Sequence, residues 1–110
     1  HMRFETLVSV AGGKIQACRV PTAASQPVTI KVRVDATKAS GRVNGGAQAA
    51  TNNGPVGKAW KSGWVRKGHR SSVGTVRVPR GAAYALTAGI GAGQMGDGGS
   101  FKTASIRTCH

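Results

Sequence analysis

The residue types best suited to chemistry lie together in one stretch, KAWKSGWVRKGHR, which runs from Lys58 to Arg70. The stretch contains five lysines and arginines, both tryptophans and His69, which is the only histidine away from the two chain ends. Guanidinium and ammonium groups hold phosphate and other oxyanions, and an exposed indole stacks on bases or sugars. This combination favours a surface that binds an anion.

The two tryptophans allow two interpretations. In one, Trp60 and Trp64 turn inward and fill a core that is short of large side chains, since each indole buries on the order of 200 Å². In the other, both rings stand outward among the cations and stack on a ligand. Gly63 and Gly68 favour bulges, which would place one ring inside and the other outside. We expect at least one of the two rings in the core.

The whole chain is strongly cationic. Its 110 residues include 16 lysines and arginines against Glu5, Asp35 and Asp97, a formal net charge of +13. Such a surface attracts polyanions, so the expected partner is an anionic polymer or surface, such as nucleic acid or a cell-wall polymer, or else an acidic protein. The predicted binding residues are Trp60, Trp64, Arg66, Lys67, His69, Arg70, Lys31, Arg33 and Arg77.

Catalysis has little support in the residue types. The three acids lie far apart in the sequence, so they offer neither a carboxylate pair nor a metal site. GAGQMG, residues 91–96, matches the G-x-G-x-x-G pattern of dinucleotide sites, but Asp97 and two further glycines follow it, and no helix can begin there. We therefore expect no enzyme activity, no metal and no cofactor, a dinucleotide included.

One enzymatic alternative stays open. Metal-free ribonucleases can work with a histidine, a few cations that hold the phosphate, and sometimes a tyrosine. His69 lies beside Lys67 and Arg70, and Tyr84 is present elsewhere in the chain. The chain therefore contains the residue types that such a ribonuclease needs, although this comparison concerns composition alone.

A short resemblance adds another alternative. WKSGWVRKGHRSSV, followed by a chain end in RTC, resembles the small, basic, secreted β-sandwich bacteriocins of the lactococcin type over less than a third of the chain. The resemblance implies a secreted antibacterial protein that acts at the cell envelope.

Alternating apolar residues predict the strands that must carry these side chains. In PVTIKVRVD, residues 27–35, the valines and Ile30 share one face, while Lys31 and Arg33 lie on the other. SVGTVRVPR repeats this alternation around Arg77. The cations of both segments should therefore point outward.

The remaining patterns complete an all-β prediction. AAYALTAGI, KAWKSGWVRK and the C-terminal SFKTASIRTC are further strand candidates, and in the last of these Lys102, Ala104 and Ile106 would share a face. Gly12–Gly13 predicts a two-residue hairpin turn. Residues 43–57 show no pattern and are expected to form a mobile loop. The predicted fold class is a small antiparallel β-sandwich or barrel of about six to eight strands.

Cys18 and Cys109 are the only cysteines, and we expect one disulfide between them to close the fold. Closing a loop of about ninety residues stabilises a chain by roughly 4–5 kcal/mol in the chain-entropy model, which matters for a core this poor in large side chains. A disulfide indicates an oxidising compartment, so we expect a secreted protein whose signal peptide has been removed, and no transmembrane segment. His1–Met2 is typical of a vector remnant, which leaves residues 3–109 as one β domain.

Overall fold

Eight β-strands form two four-stranded antiparallel sheets that pack face to face. The computed structural model describes all 110 residues, and it confirms the predicted all-β sandwich. The strands are β1 (Glu5–Val10), β2 (Gly13–Val20), β3 (Val28–Asp35), β4 (Asn44–Thr51), β5 (Gly54–Lys61), β6 (Gly74–Val78), β7 (Ala85–Ala92) and β8 (Met95–Phe101). The first sheet has the order β1-β2-β3-β6, and the second has the order β5-β4-β7-β8.

The core between the sheets is built mostly from valine and alanine. The apolar row of β3 from Val28 to Val34 is buried, as its alternation predicts, while Lys31 and Arg33 between the members of that row are half-exposed. β6 repeats the alternation around the exposed Arg77. No aromatic side chain is fully buried. The core is therefore thin, and each sheet presents its outer face to solvent.

The first hairpin turns one residue earlier than predicted. Val10 pairs with Gly13, which leaves Ala11 and Gly12 as the two turn residues. Both have positive φ, 50° and 79°, as a type I′ turn requires. A Cβ on Gly12 would lie 2.2 Å from the carbonyl oxygen of Lys38, so this turn packs tightly against the loop that follows β3.

The prediction of a mobile loop over residues 43–57 is wrong. Most of these residues form the β4–β5 hairpin, which turns at Asn52–Asn53. The strand pattern of β4 is hard to detect because its buried core positions hold only alanines, Ala47 and Ala49. The outward positions that alternate with them hold Gly46, Gln48 and Ala50, so neither face of β4 carries the contrast of apolar and charged residues that marks a strand.

The prediction of a C-terminal strand through Ile106 is also wrong. β8 ends at Phe101, and a 3₁₀ helix spans Thr103–Ser105. The backbone N–H groups of Ser105 and Ile106 donate to the carbonyls of Lys102 and Thr103, and such short-range bonds replace the ladder of a strand. Ile106 then inserts into the core.

The predicted disulfide is confirmed. Cys18 and Cys109 are bonded, with their Cα atoms 4.9 Å apart, and both are fully buried. The C-terminal segment lies beside the end of β2, where β1 no longer pairs with it. There Arg19 donates its backbone N–H to Arg107 and accepts one from Cys109.

Two glycines of the second sheet provide a test of the assigned faces. A Cβ on Gly45 would lie 2.6 Å from Val34 Cγ2 in the core, whereas a Cβ on Gly89 would meet nothing closer than 3.6 Å. We expect Gly45→Ala to lower the free energy of unfolding by about 1–3 kcal/mol through overpacking. Gly89→Ala should be neutral or stabilising by up to about 1 kcal/mol.

Both values can be measured by urea unfolding of the purified variants. An equal loss of stability in the two variants would contradict the inward orientation of Gly45 and the outward orientation of Gly89.

Candidate anion-binding face

The outer face of the first sheet carries cations on three neighbouring strands. Lys14 of β2, Lys31 and Arg33 of β3, and Arg77 of β6 lie on this face, because their strand partners alternate with the buried rows. Lys31 Nζ donates to Thr75 Oγ1 on β6 at 2.8 Å. The structure therefore brings Lys31, Arg33 and Arg77 to one surface, which we call the cationic face.

The outer face of the second sheet is nearly uncharged. Its paired positions hold mostly glycine, alanine, threonine, serine and glutamine. Lys61 is the one cation that the strand pairing places there. The two outer faces of the sandwich thus differ sharply in charge, although lysine and arginine are spread along the whole sequence.

A groove of about 460 Å³ lies at the edge of the cationic face, where both chain ends reach it. The residues that line it are His1, Met2, Arg3, Phe4, Arg33, Arg70, Val73 and Arg107. Four of them are arginines and none is acidic. We call this feature the arginine groove, and no other cavity of the molecule is lined by as many arginines.

Arg33 is held in place by neutral groups. Its guanidinium carbon lies 4.1 Å from the centroid of the Phe4 ring, and its Nε donates to Gln16 Oε1 at 2.8 Å. Burial and then the neighbouring charge of Arg70 lower the pKa of Arg33, while Asp35 acts in the opposite direction. A guanidinium stays charged at neutral pH in any case, so the groove keeps this positive charge.

Arg70 is held by the only salt bridge in the molecule, in which its Nε lies 3.1 Å from Asp35 Oδ2. The Asp35 carboxylate also accepts hydrogen bonds from the backbone N–H and the hydroxyl of Thr37. Burial alone would raise the pKa of Asp35, but the Thr37 hydrogen bonds and the contact with Arg70 outweigh it, so the pKa lies below its usual value. Asp35 therefore stays ionised and fixes one guanidinium of the groove.

Arg3 and Arg107 are positioned through their backbones. The N–H of Arg3 donates to the carbonyl of Cys109, and the N–H of Arg107 donates to the carboxylate of Glu5. The guanidinium groups of Arg3 and Arg107 make no hydrogen bond within the chain. The disulfide-bonded segment at Cys109 thus places two free guanidinium groups beside the cationic face.

Two other arginines contribute structure instead of a site. A pocket of about 290 Å³ contains Arg19 and Arg80. The Arg80 guanidinium donates to three carbonyls of the β2–β3 connection, those of Thr22, Ala23 and Gln26. Arg19 donates to the carbonyl of Ile106. These hydrogen bonds occupy the two side chains, so this pocket is a less suitable anion site than the arginine groove.

The two tryptophans have different environments. Trp60 lies on the inner side of β5 and packs against Gly74, where an added Cβ would come within 2.1 Å of its ring. Trp60 therefore closes one edge of the core, as expected for at least one of the pair. Trp64 is 49% exposed, and Arg42 lies 4.2 Å above its ring. Neither ring lines the arginine groove.

The rest of the basic stretch crosses one end of the sandwich. β5 stops at Lys61, so the stretch does not form one extended strand with a shared face. Arg66, Lys67 and His69 are exposed in the connection between β5 and β6, where Ala36 donates its N–H to the carbonyl of His69. Of the predicted residues in this stretch, only Arg70 lines the groove.

The set proposed for ribonuclease chemistry is not brought together. His69 lies beside the end of β3, whereas Tyr84 precedes β7 at the opposite end of the sandwich. The length of a strand separates the two, roughly 20 Å. The GAGQMG segment forms the β7–β8 hairpin, and a strand follows it.

Six of the eight groove residues were not among the predicted binding residues: His1, Met2, Arg3, Phe4, Val73 and Arg107. Arg3 and Phe4 follow the expected vector remnant, and Arg107 lies in a segment for which a regular strand was expected. One signal was present in the sequence, because a Cys18–Cys109 bond must bring Arg107 next to β2. Nothing in the sequence indicates that Phe4 would contact Arg33.

Comparison with known proteins assigns no relative, since no family model, no curated protein and no solved structure matches this chain. No helix in the structure is long and apolar enough to cross a membrane. The cationic face and the arginine groove are therefore the features that indicate what this protein binds.

The Asp35–Arg70 pair leads to a prediction about pH. Since the folded-state pKa of Asp35 lies below its ordinary value of 3.8, ionised Asp35 stabilises the fold at neutral pH. That contribution should be lost as the pH falls below about 4 and through the folded-state pKa. At pH 7, Asp35→Asn should lower the free energy of unfolding by about 1–2 kcal/mol, since Arg70 is half-exposed.

The measurement is urea unfolding of the native chain and of Asp35→Asn from about pH 2 to about pH 7, a range that includes the titration of carboxyl groups. The difference in the free energy of unfolding between the native chain and Asp35→Asn should shrink as the pH falls. Asp97→Asn is the control, because Asp97 is exposed and makes no salt bridge. A gap that stays constant down to the lowest pH would contradict the stabilising role of the ionised carboxylate.

Proposed function

We propose that this protein is a secreted, non-catalytic binding module whose cationic face engages an anionic polymer or surface. The observation that carries the proposal is the difference between the two outer faces. One gathers Lys14, Lys31, Arg33 and Arg77 with the arginine groove at its edge. The other holds mostly small uncharged residues, with Lys61 placed there by the strand pairing and with Lys58 and Lys102 on or beside its edge strands.

The electrostatics support a polyanion as the partner. Of the 16 lysines and arginines, only Arg70 takes part in a salt bridge. The other cations of the face attract a polyanion, and each contact with a phosphate or similar group releases a counterion. A sheet face also presents its cations in parallel rows about 5 Å apart, the spacing of neighbouring strands. An extended polymer can therefore contact several of them at once.

Secretion is supported by the disulfide. Cys18 and Cys109 are bonded and buried, and the structure has no free cysteine. Disulfides of this kind persist in oxidising compartments and are rare in the cytosol. Binding at a cell envelope, outside a cell or in its wall, fits both the disulfide and the charge.

The proposal predicts binding that weakens steeply with salt. If five cations of the face and groove contact phosphate, log affinity for a single-stranded oligonucleotide should fall with log salt at a slope of about −3.5. Fluorescence anisotropy with a labelled oligonucleotide, and with a labelled poly(glycerol phosphate), measures this slope. Affinity that does not change between about 50 and 200 mM salt would exclude the proposal.

A matched pair of variants separates the cationic face from net charge. Lys31→Glu with Arg77→Glu reverses two charges on the face, and Lys58→Glu with Lys61→Glu reverses two charges on β5 of the other sheet. The first pair should reduce the salt slope by about 1.4, while the second should leave the slope unchanged. Equal effects of the two pairs would show that net charge, and not this face, drives binding.

A further inference from the structure

The arginine groove has features that the rest of the cationic face lacks, and these point to a discrete ligand. Its guanidinium groups come from four separate parts of the chain: the N-terminal segment, β3, the connection before β6, and the C-terminal segment. Elsewhere on the face the cations stand singly along strands. Arginines that line one cavity from four parts of the chain can contact one anion together, whereas cations in a row along a strand can only lie along it.

Two of the guanidinium groups are oriented before any ligand arrives. Arg33 uses its Nε to bind Gln16, and Arg70 uses its Nε to bind Asp35. Neither residue makes a hydrogen bond within the chain through its two Nη groups. Each side chain therefore has a fixed plane and a free edge with four N–H donors. Arg80 shows the contrast, because its Nη2 atom is occupied by two carbonyls.

The convergence favours a tetrahedral anion over a planar one. A carboxylate presents two oxygens in one plane, which suits a single guanidinium fork. A phosphate group presents oxygens in several planes, so it can accept from several forks that approach from different sides. Arg3 and Arg107 also line the groove, and their guanidinium groups are free of hydrogen bonds within the chain. They add to the two oriented side chains, Arg33 and Arg70.

The groove also has an apolar part. Phe4 lies under the Arg33 guanidinium, and Val73 is 42% exposed. A ligand that is only an inorganic anion would leave this surface unused. An ester offers both parts, a charged group for the arginines and a carbon-containing group for Phe4 and Val73.

We propose that the arginine groove is a binding site for a phosphate ester group, in which Arg3, Arg33, Arg70 and Arg107 hold the phosphate oxygens. The inference that a polymer supplies this ester rests on the proposed function, whereas the inference of the site itself does not. Phosphodiester polymers include single-stranded nucleic acid and poly(glycerol phosphate), and both present the group that the groove fits.

Direct titration of the ¹⁵N-labelled full chain tests the site. Glycerol phosphate should shift the Nε–Hε signals of Arg33 and Arg70 and bind at least about tenfold more tightly than acetate at equal ionic strength. Acetate that binds as tightly, or shifts that are confined to residues outside the groove, would overturn the proposal.

Charge-preserving variants separate fork geometry from charge. Arg33→Lys and Arg107→Lys keep the charge but lose the planar fork, so each should weaken glycerol phosphate binding by about tenfold. Arg107→Lys removes no hydrogen bond of the folded chain, because the Arg107 side chain makes none, so this variant should fold normally. Arg42→Lys is the matched control, because Arg42 lies on the Trp64 ring and does not line the groove; this variant should bind glycerol phosphate like the native chain. An equal loss in Arg42→Lys would overturn the proposal.

Polymer binding distinguishes the site from the proposed function. If Arg107→Lys weakens binding of the oligonucleotide or of poly(glycerol phosphate), the site and the proposed function both stand. The polymer that the native chain binds more tightly then identifies the source of the ester. If glycerol phosphate binds in the groove but neither polymer binds, the proposed function fails and the site stands. If glycerol phosphate does not bind in the groove, while both polymers bind and do so as before in Arg107→Lys, the phosphate site is overturned and the proposed function stands.

Discussion

The bond between Cys18 and Cys109 is the constraint on which the rest of the molecule depends. Valine and alanine fill most of the core, and no aromatic ring is fully buried, so apolar burial alone provides modest stability. The disulfide constrains the unfolded chain across a sequence separation of 91 residues. It also attaches the C-terminal segment to β2, beside the N-terminal segment. One covalent link thus closes the fold and builds a wall of the arginine groove.

Repulsion among like charges is the second constraint. Four arginines line one groove in a molecule that already carries a net charge of +13, and each of them raises the free energy of the folded state. Asp35 offsets part of this repulsion at Arg70, and the Phe4 ring and Gln16 stabilise the Arg33 guanidinium. The arrangement differs from that of Arg80, whose hydrogen bonds connect loops and leave little of the guanidinium available. This uncompensated charge is the reason for proposing an anionic ligand at the groove.

The pairing of the strands decides where the charge lies. Cations occur on both sheets, but the pairing of β2, β3 and β6 aligns Lys14, Lys31, Arg33 and Arg77 on one outer face, whereas the outer face of β4, β7 and β8 holds small uncharged residues. The basic stretch that dominates the sequence is divided by the fold. Trp60 completes the core, Arg70 joins the groove, and Arg66, Lys67 and His69 remain at one end of the sandwich.

The sequence by itself determined the fold class, the disulfide and the outward direction of Lys31, Arg33 and Arg77. These follow from local alternation, which sets the face of each side chain, and from the presence of only two cysteines. Only the tertiary structure decided that residues 43–57 form strands, because alanines in the core positions of β4 leave no local pattern to detect. The arginine groove could not be predicted either. Its arginines lie up to a whole chain length apart in sequence, and they meet only because the disulfide and the strand order bring both chain ends to the same edge of the first sheet.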